Sequence, residues 1–345
     1  MSGALKRDEW KTVTWSSILE IKNGKDYKAV ANENGAYPIY GSGGRMGYAD
    51  SYICPEDTTI IGRKGSINKP IYVSEKFWNV DTAFGLVAKK EVLNPKFLYY
   101  FCVQYNFEKH NKTVTIPSLT KADLLTIKIP LPPLDIQRQI ADTLDKVTEL
   151  ITLRKTQLEK LDELVKARFV EMFDGKGYPT LKWEEVFNTT TGKLDSNAMV
   201  ENGEYPFFTC AKEVFRIDKY AFDQEALLLA GNNAAGKYDV KYYKGKFNAY
   251  QRTYVLGLKE EWSYQLFKYQ LEDKLMYLQQ QSLGGLTKYL TLKILGELDF
   301  IVPSMDNQNE FTRFVEQTDK SKSIIQQSLD TLETLKKSLM QEYFG

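Results

Sequence analysis

The chain has 345 residues, 43% of them hydrophobic and 26% charged, and carries 46 basic against 45 acidic side chains for a net charge of +1. That is an ordinary globular composition with room for two domains, and so even a balance excludes a strong non-specific nucleic-acid binder. No apolar run is long enough to span a membrane, and the opening MSGALKRDEWK lacks the apolar core of a signal peptide. Cys54, Cys102 and Cys210 lie without metal or disulfide spacing, and the single histidine, His110, argues against a His-based metal site or a Ser-His relay. A cytoplasmic protein with no membrane partner, no bound metal and no catalytic residue of its own is the expectation.

In chain order, residues 1–134 read as a strand-rich domain. Short β-branched and aromatic runs at Pro38–Tyr40, Thr58–Ile61, Ile71–Val73, Phe84–Val87 and Thr126–Ile129 are divided by glycine-rich turns such as GSGGRMGY at 41–48. One helix is expected near Pro95–Tyr105. This domain holds 18 basic and 13 acidic side chains, a balance of +5, while the later segments are slightly acidic. Any nucleic-acid contact must therefore rest on local basic patches.

Residues 135–173 form a different kind of segment. Ile140, Leu144, Val147, Ile151, Leu158, Leu161, Val165 and Met172 step four and three apart, broken only by Arg154 and Arg168, and no Gly or Pro intervenes after Pro133. Sustained heptads of this kind predict one long helix, roughly 57 Å from end to end, that pairs along its length. Residues 174–305 read again as a strand-rich domain, with a helix near Tyr264–Gln280. Residues 306–345 repeat the long helix, with Phe311, Val315, Thr318, Ile325, Leu329, Leu332, Leu339 and Tyr343 along the seam and Lys322 and Lys336 interrupting it.

The two helices align without a gap at a shift of 171, Pro132 falling on Pro303, Asp135 on Asp306, Gln137 on Gln308 and Phe173 on Phe344. At a shift of 168 the domains align too, more weakly: Trp15 with Trp183, Gly24-Lys25 with Gly192-Lys193, and Asn34-Gly35 before Tyr37-Pro38 with Asn202-Gly203 before Tyr205-Pro206. Two related helices in one chain, each lacking a mate, most economically pair with each other. The reading is an α+β, internally duplicated chain: domain 1–134, helix 135–173, domain 174–305, helix 306–345.

Two divergent halves, each followed by a similar long helix introduced by a motif like PLPPLDIQRQI, resemble the specificity subunit of type I restriction-modification systems. The resemblance covers nearly the whole chain and rests also on the NGAYPIYGSGG opening and the IIGRKGSINKP loop. It implies an antiparallel coiled-coil spacer with pseudo-twofold symmetry and two target-recognition domains, each reading one half of a split double-stranded DNA target. It also implies recruitment of DNA methyltransferase subunits, two of them, and of restriction endonuclease/translocase subunits. S-adenosylmethionine, ATP and Mg are then expected on those partners and not on this chain. The second half departs from the family pattern, reading LLLAGNNAAGKYDVKYY where the first half has a basic glycine loop.

Arg63, Lys64, Ser66 and Lys69 lie on a glycine-flanked loop just after a strand. They read as phosphate or guanine contacts or, more plainly, as a solvated turn. Their second-half analogues are Asn232, Asn233 and Lys237, where an amide suits paired contact with adenine. Lys241 and Tyr242, in a run that is alternately basic and aromatic, fit either DNA contact or an edge strand kept soluble by lysines. Arg45 and Tyr48, and Gln251 and Arg252, are further candidates against a surface role. GNNAAGKY at 231–238 matches the phosphate loop GxxxxGK but ends in Tyr238 where a Ser or Thr is needed. A nucleotide hydrolase is therefore the third reading, behind a coiled-coil adaptor whose two domains bind protein. No adenine-methylating N/D-P-P-Y/F tetrapeptide is present, and Glu20-Ile21-Lys22 lacks an upstream acid for a nuclease.

Overall fold

A computed structural model describes residues 9–111, 118–234 and 236–345. The chain divides into two compact units, residues up to Gln157 together with Ile325–Gly345, and Leu158–Ile324. Each unit contains one strand-rich half and a stretch of both long helices. Those helices run Leu134–Phe173 and Met305–Phe344. They begin one residue earlier than the periodicity suggests, because the carbonyls of Pro133 and Ser304 accept the first helical bonds, from the Gln137 and Gln308 amides at 3.0 Å each.

In the first unit, Leu19–Asn23, Ala83–Ala88, Thr58–Gly62 and Ile71–Val73 form a four-stranded sheet in that order. Gly44–Ala49, Tyr37–Gly41 and Trp78–Asn79 form a three-stranded one. The stretch Arg45–Tyr48, which its glycines mark as part of a turn, is strand: Ser42 and Gly43 alone make the tight connection, with φ of +120° at Gly44. Lys11–Thr14 pairs with Lys128–Leu131, two residues beyond the expected strand, because Thr126 and Ile127 close a short helix over Lys121–Leu125 capped by the Thr120 hydroxyl.

Trp15, Phe97, Phe101 and Phe107 fill the core of this unit, and Ile140, Leu144, Met340 and Phe344 of the two long helices enter the same cluster. The Phe97 and Phe344 rings lie 5.1 Å apart. The N-terminal part of one long helix therefore packs with the C-terminal part of the other, antiparallel, and Lys155 pairs with Glu333 across them at 2.8 Å. Val147, Ile151 and Leu329 are buried on this seam, with Ile325, Leu332 and Leu339 half-buried.

The second unit rests on one six-stranded sheet in the order Phe187–Thr191, Thr253–Leu258, Phe222–Ala230, Val240–Ala249, Tyr205–Phe208, Phe215–Ile217. Its strand Val240–Ala249 occupies both places that Ile71–Val73 and Trp78–Asn79 take in the first unit. There the strand is interrupted because Phe77 exchanges both backbone bonds with Cys54, at 3.1 Å each. The helix expected near Tyr264–Gln280 is two, Tyr264–Asp273 and Leu275–Gln281. They part at half-buried Lys274, whose ammonium sits 5.4 Å from the centre of the Phe300 ring and whose pKa is lowered by burial. Here too the long helices pair. Val165, Phe173, Phe311 and Val315 share one cluster, Leu158 and Leu161 are half-buried, and Lys322 reaches Asp162 at 2.6 Å. Arg168 leaves the seam to bond Glu171 and Glu310, and Arg154 bonds Gln157 at 2.7 Å. Toward its end Met172 is half-buried against this cluster and Phe173 is buried in it, where Phe173 also meets Tyr178 of the following loop at 5.9 Å.

Each half is fastened to its long helix by a buried glutamine. Gln137 is 1% exposed; its Oε1 accepts from the Asn94 amide at 2.8 Å, and its Nε2 donates to the Val92 and Pro132 carbonyls at 3.0 and 2.8 Å. Gln308, also 1% exposed, accepts from the Ser263 amide at 3.0 Å and donates to the Pro303 carbonyl at 2.9 Å. A leucine of similar size leaves these buried backbone groups without partners. Gln137→Leu and Gln308→Leu are each expected to lower stability by about 2–4 kcal/mol, while the exposed Gln139→Leu changes it by less than about 0.5 kcal/mol. Urea midpoints measure both, and midpoints in Q137L and Q308L equal to the control's would show that the glutamines do not clamp the halves.

Candidate nucleic-acid interface

The candidate residues lie on loops and on the strands that adjoin them in each unit. In the first unit Gly62 ends its strand, and a Cβ there would meet the Ser66 carbonyl at 2.6 Å and Ser42 Cβ at 3.2 Å, so the 62–69 loop folds back close beside the 41–44 turn. Arg63 donates its amide to the Thr82 carbonyl at 2.8 Å, and its carbonyl accepts from the Leu119 amide at 2.9 Å. With the backbone thus tied, Arg63, Lys64, Ser66 and Lys69 are left exposed, while Ile67 is buried as the anchor of the loop. Arg45 is exposed on the neighbouring hairpin, its guanidinium 4.6 Å from the ring centre of half-buried Tyr48. That contact holds the arginine flat while leaving its N–H edges for an acceptor.

The second unit repeats this backbone with other side chains. Gly231 donates to the Arg252 carbonyl at 2.8 Å and accepts from the Leu290 amide at 2.8 Å, which makes Gly231 the counterpart of Arg63 and Asn232 that of Lys64. The pairing agrees with Lys64 bridging Ser118 and Asn232 pairing with Tyr289. Asn232 and Asn233 are half-buried on a short strand opposite Tyr289 and Lys288, and Lys237 is exposed. Gln251 and Arg252 are exposed on the adjoining turn, the Gln251 amide donating to the Leu194 carbonyl at 2.9 Å. Lys241 and Tyr242 are engaged within the protein. The Lys241 ammonium bonds Asp239 and, at 2.9 Å, the Ala211 carbonyl, and the Tyr242 hydroxyl donates to Glu225 at 2.7 Å. Burial, then the bond to Glu225, pushes the Tyr242 pKa up to about 12.

Lys288 belongs to this loop cluster, and nothing in the sequence marks it as a member. It is 55 residues from Asn233 in the chain, and only the pairing of the two short strands brings them opposite. The shift of 171 places Lys288 on Pro117, so the duplication carried no signal for it.

The 231–238 loop does not have the geometry of a phosphate cradle. That cradle needs a helix whose N-terminal amides follow the loop, whereas here the chain runs on into the strand Val240–Ala249. Gly236 has φ of +65°, and a Cβ on it would lie 3.2 Å from Gln279 and 3.5 Å from Lys288, so its glycine serves close packing. Tyr238 is 7% exposed in the core cluster of the unit. Among the described residues no group of three or more His, Cys, Asp or Glu side chains is placed to hold a metal ion, and no helix is long and apolar enough to cross a membrane.

Each half is thus strand-rich, joined to a long helix by a buried glutamine, and carries a backbone-tied loop with polar side chains of its own. The model of the family described as Type I restriction modification DNA specificity domain matches residues 7–163 and 176–334, one match for each half. The chain belongs to this family. It is 39% identical over 134 residues to the type I restriction enzyme EcoDI specificity subunit of Escherichia coli, covering 38% of this chain and 29% of that protein. It is 31% identical over 151 residues to a putative type I restriction enzyme specificity subunit of Haemophilus influenzae, covering 41% and 39%. The matched stretches therefore span well under half the length of those relatives. The fold matches the crystal structure of a type I restriction-modification S subunit from M. genitalium with a TM-score of 0.75, 18% identity, and coverage of 99% and 98% of the two chains.

Tyr238→Ser completes the GxxxxGKS consensus and so separates motif from geometry. It is expected to cost about 2–4 kcal/mol for removal of a large side chain from the core and to confer no ATP affinity by calorimetry. ATP binding by the variant would show that the loop is a cradle after all.

Proposed function

We propose that this chain is a non-catalytic DNA-specificity subunit. Each half reads one part of a bipartite double-stranded target, and the chain brings methyltransferase subunits, two of them, and restriction endonuclease/translocase subunits to that target. S-adenosylmethionine, ATP and Mg would be held by those partners. A cytoplasmic location fits this role, and it fits Cys54 and Cys102, which are buried in separate core clusters.

One observation carries the reading. The same backbone bonds tie the loop in both halves, yet the tied position and the one after it are Arg63 and Lys64 in one half and Gly231 and Asn232 in the other, with Asn233 next in line. Cations suit phosphates and guanine, and carboxamides suit adenine. A duplicated scaffold with unlike side chains at equivalent places is what two different half-sites require. Arg45 and Tyr48 on the adjoining hairpin strand, and Ser66, Lys69, Lys237, Gln251 and Arg252, belong to the proposed surface, as does Lys288. Lys241 and Tyr242 would have to give up Asp239 and Glu225 to join it, and they serve better as supports.

Exchange of residues 1–134 for those of a relative with a different target tests the reading. Sequencing methylated bases in cells that carry the cognate modification subunits should show one half of the modified sequence changed and the other retained. An unchanged pattern would favour the protein-binding adaptor. Arg63→Glu with Lys64→Glu should weaken DNA binding and reduce the slope of log K against log salt by about 0.9 for each phosphate that is no longer neutralised; an unaltered slope removes this loop from the phosphate-binding surface.

A further inference from the structure

Leu286 is 95% exposed, the most exposed large apolar side chain among the described residues. A leucine so placed usually marks a loose loop, but this one stands on a closed hairpin. Leu283 and Tyr289 exchange both backbone bonds, at 3.1 and 2.8 Å. Ser282 anchors one side by donating to the Gln279 carbonyl at 2.7 Å, and Leu290, 4% exposed, anchors the other through its amide bond to Gly231. Gly284, at φ of +103°, makes the turn possible, since a Cβ there would meet the Thr287 carbonyl at 2.2 Å. The tip is thus held out by the same backbone that positions Asn232 and Asn233, and Lys288 and Tyr289 form the strand paired with them.

Resting on the reading of this half as a DNA reader, we propose that Leu286 is an apolar wedge that enters a base step of the duplex beside the bases met by Asn232 and Asn233. Leucine is among the side chains that part stacked base pairs and kink DNA, and the stacked faces exposed at a parted step are apolar surfaces on which its side chain is buried. The surroundings favour DNA over a protein as occupant. Lys237 and Arg252 are exposed and Lys288 is half-buried, and the backbone of Gly231 bonds both Arg252 and Leu290, so the loops that carry the wedge also carry cations suited to phosphates. The unstacking cost depends on the step, easiest at flexible pyrimidine–purine steps, so Leu286 would add specificity at a position that no polar side chain touches.

The test uses the full chain assembled with its modification subunits and duplexes that carry the target found by methylation sequencing. 2-Aminopurine is placed in turn at each step of the half-site read by residues 174–305. Bound native protein should raise the fluorescence at one step or two adjacent ones. Leu286→Ala and Leu286→Asp should abolish that rise and weaken binding about tenfold, as expected when a leucine side chain is no longer buried on binding, while Leu286→Met should keep the rise. The proposal is overturned if native protein binds with no rise at any step, or if the rise survives in L286A. It is equally overturned if L286D leaves DNA binding intact and instead reduces assembly with the modification subunits, the behaviour of a protein-docking tip. Native complex that does not retain the duplex would sink the DNA reading itself.

Discussion

A single buried carboxamide, present twice, is the constraint on which each half of this structure depends. Gln137 and Gln308 stand where the first turn of each long helix closes, their own amides making its first helical bonds. Each satisfies a backbone amide at the start of a domain helix and a carbonyl of the preceding proline segment. A hydrophobic contact tolerates sliding and rotation, but a buried carboxamide with donors and acceptors all engaged does not. The direction in which the long helix leaves its domain is therefore fixed by hydrogen-bond geometry, and the aromatic clusters around Phe97, Phe344, Phe173 and Phe311 pack onto a frame already set.

The helices then divide their work by depth. Their apolar seam supplies burial, and charges in it and beside it pair across the two helices. Lys155 with Glu333, Lys322 with Asp162 and Arg168 with Glu310 all link one helix to the other. Exposed pairs of this sort contribute little stability individually, but they penalise a shifted register, which would set like charges opposite one another. Lysines at Lys322 and Lys336 would face each other if the second helix paired with a copy of itself, whereas Asp162 and Glu333 welcome cations from the other helix.

The loops that begin at Gly62 and Gly231 follow a different logic. Their backbone is tied at both ends by bonds that need no particular side chain, as with Arg63 and Gly231, which make the same two contacts. The loop conformation is thereby decoupled from the residues it displays. Such a design lets the exposed positions differ between the two halves without loss of the fold. Where a side chain is needed to hold the sheet, as with Lys241 on Asp239 or Tyr242 on Glu225, it is withdrawn from display.

The duplication, both long helices to within one residue, and most strands of the first half were legible in the sequence, because heptad spacing and β-branched runs are local signals that burial merely selects. Less was legible wherever a distant partner decides. The broken strand at Phe77 depends on Cys54, and Arg45 and Tyr48 are strand, not turn, because Tyr37–Gly41 pairs with them. The 231–238 loop shows the same limit in the site: its glycines spell a phosphate cradle, yet the following strand and the burial of Tyr238 make it a packed turn. Sequence alone determined which segments repeat and which residues carry charge or amide chemistry, since both are properties of the chain itself. Tertiary structure alone decided which of those groups remain free for a partner, because exposure and hydrogen bonding are set by residues far away in the chain, as Lys288 opposite Asn233 shows.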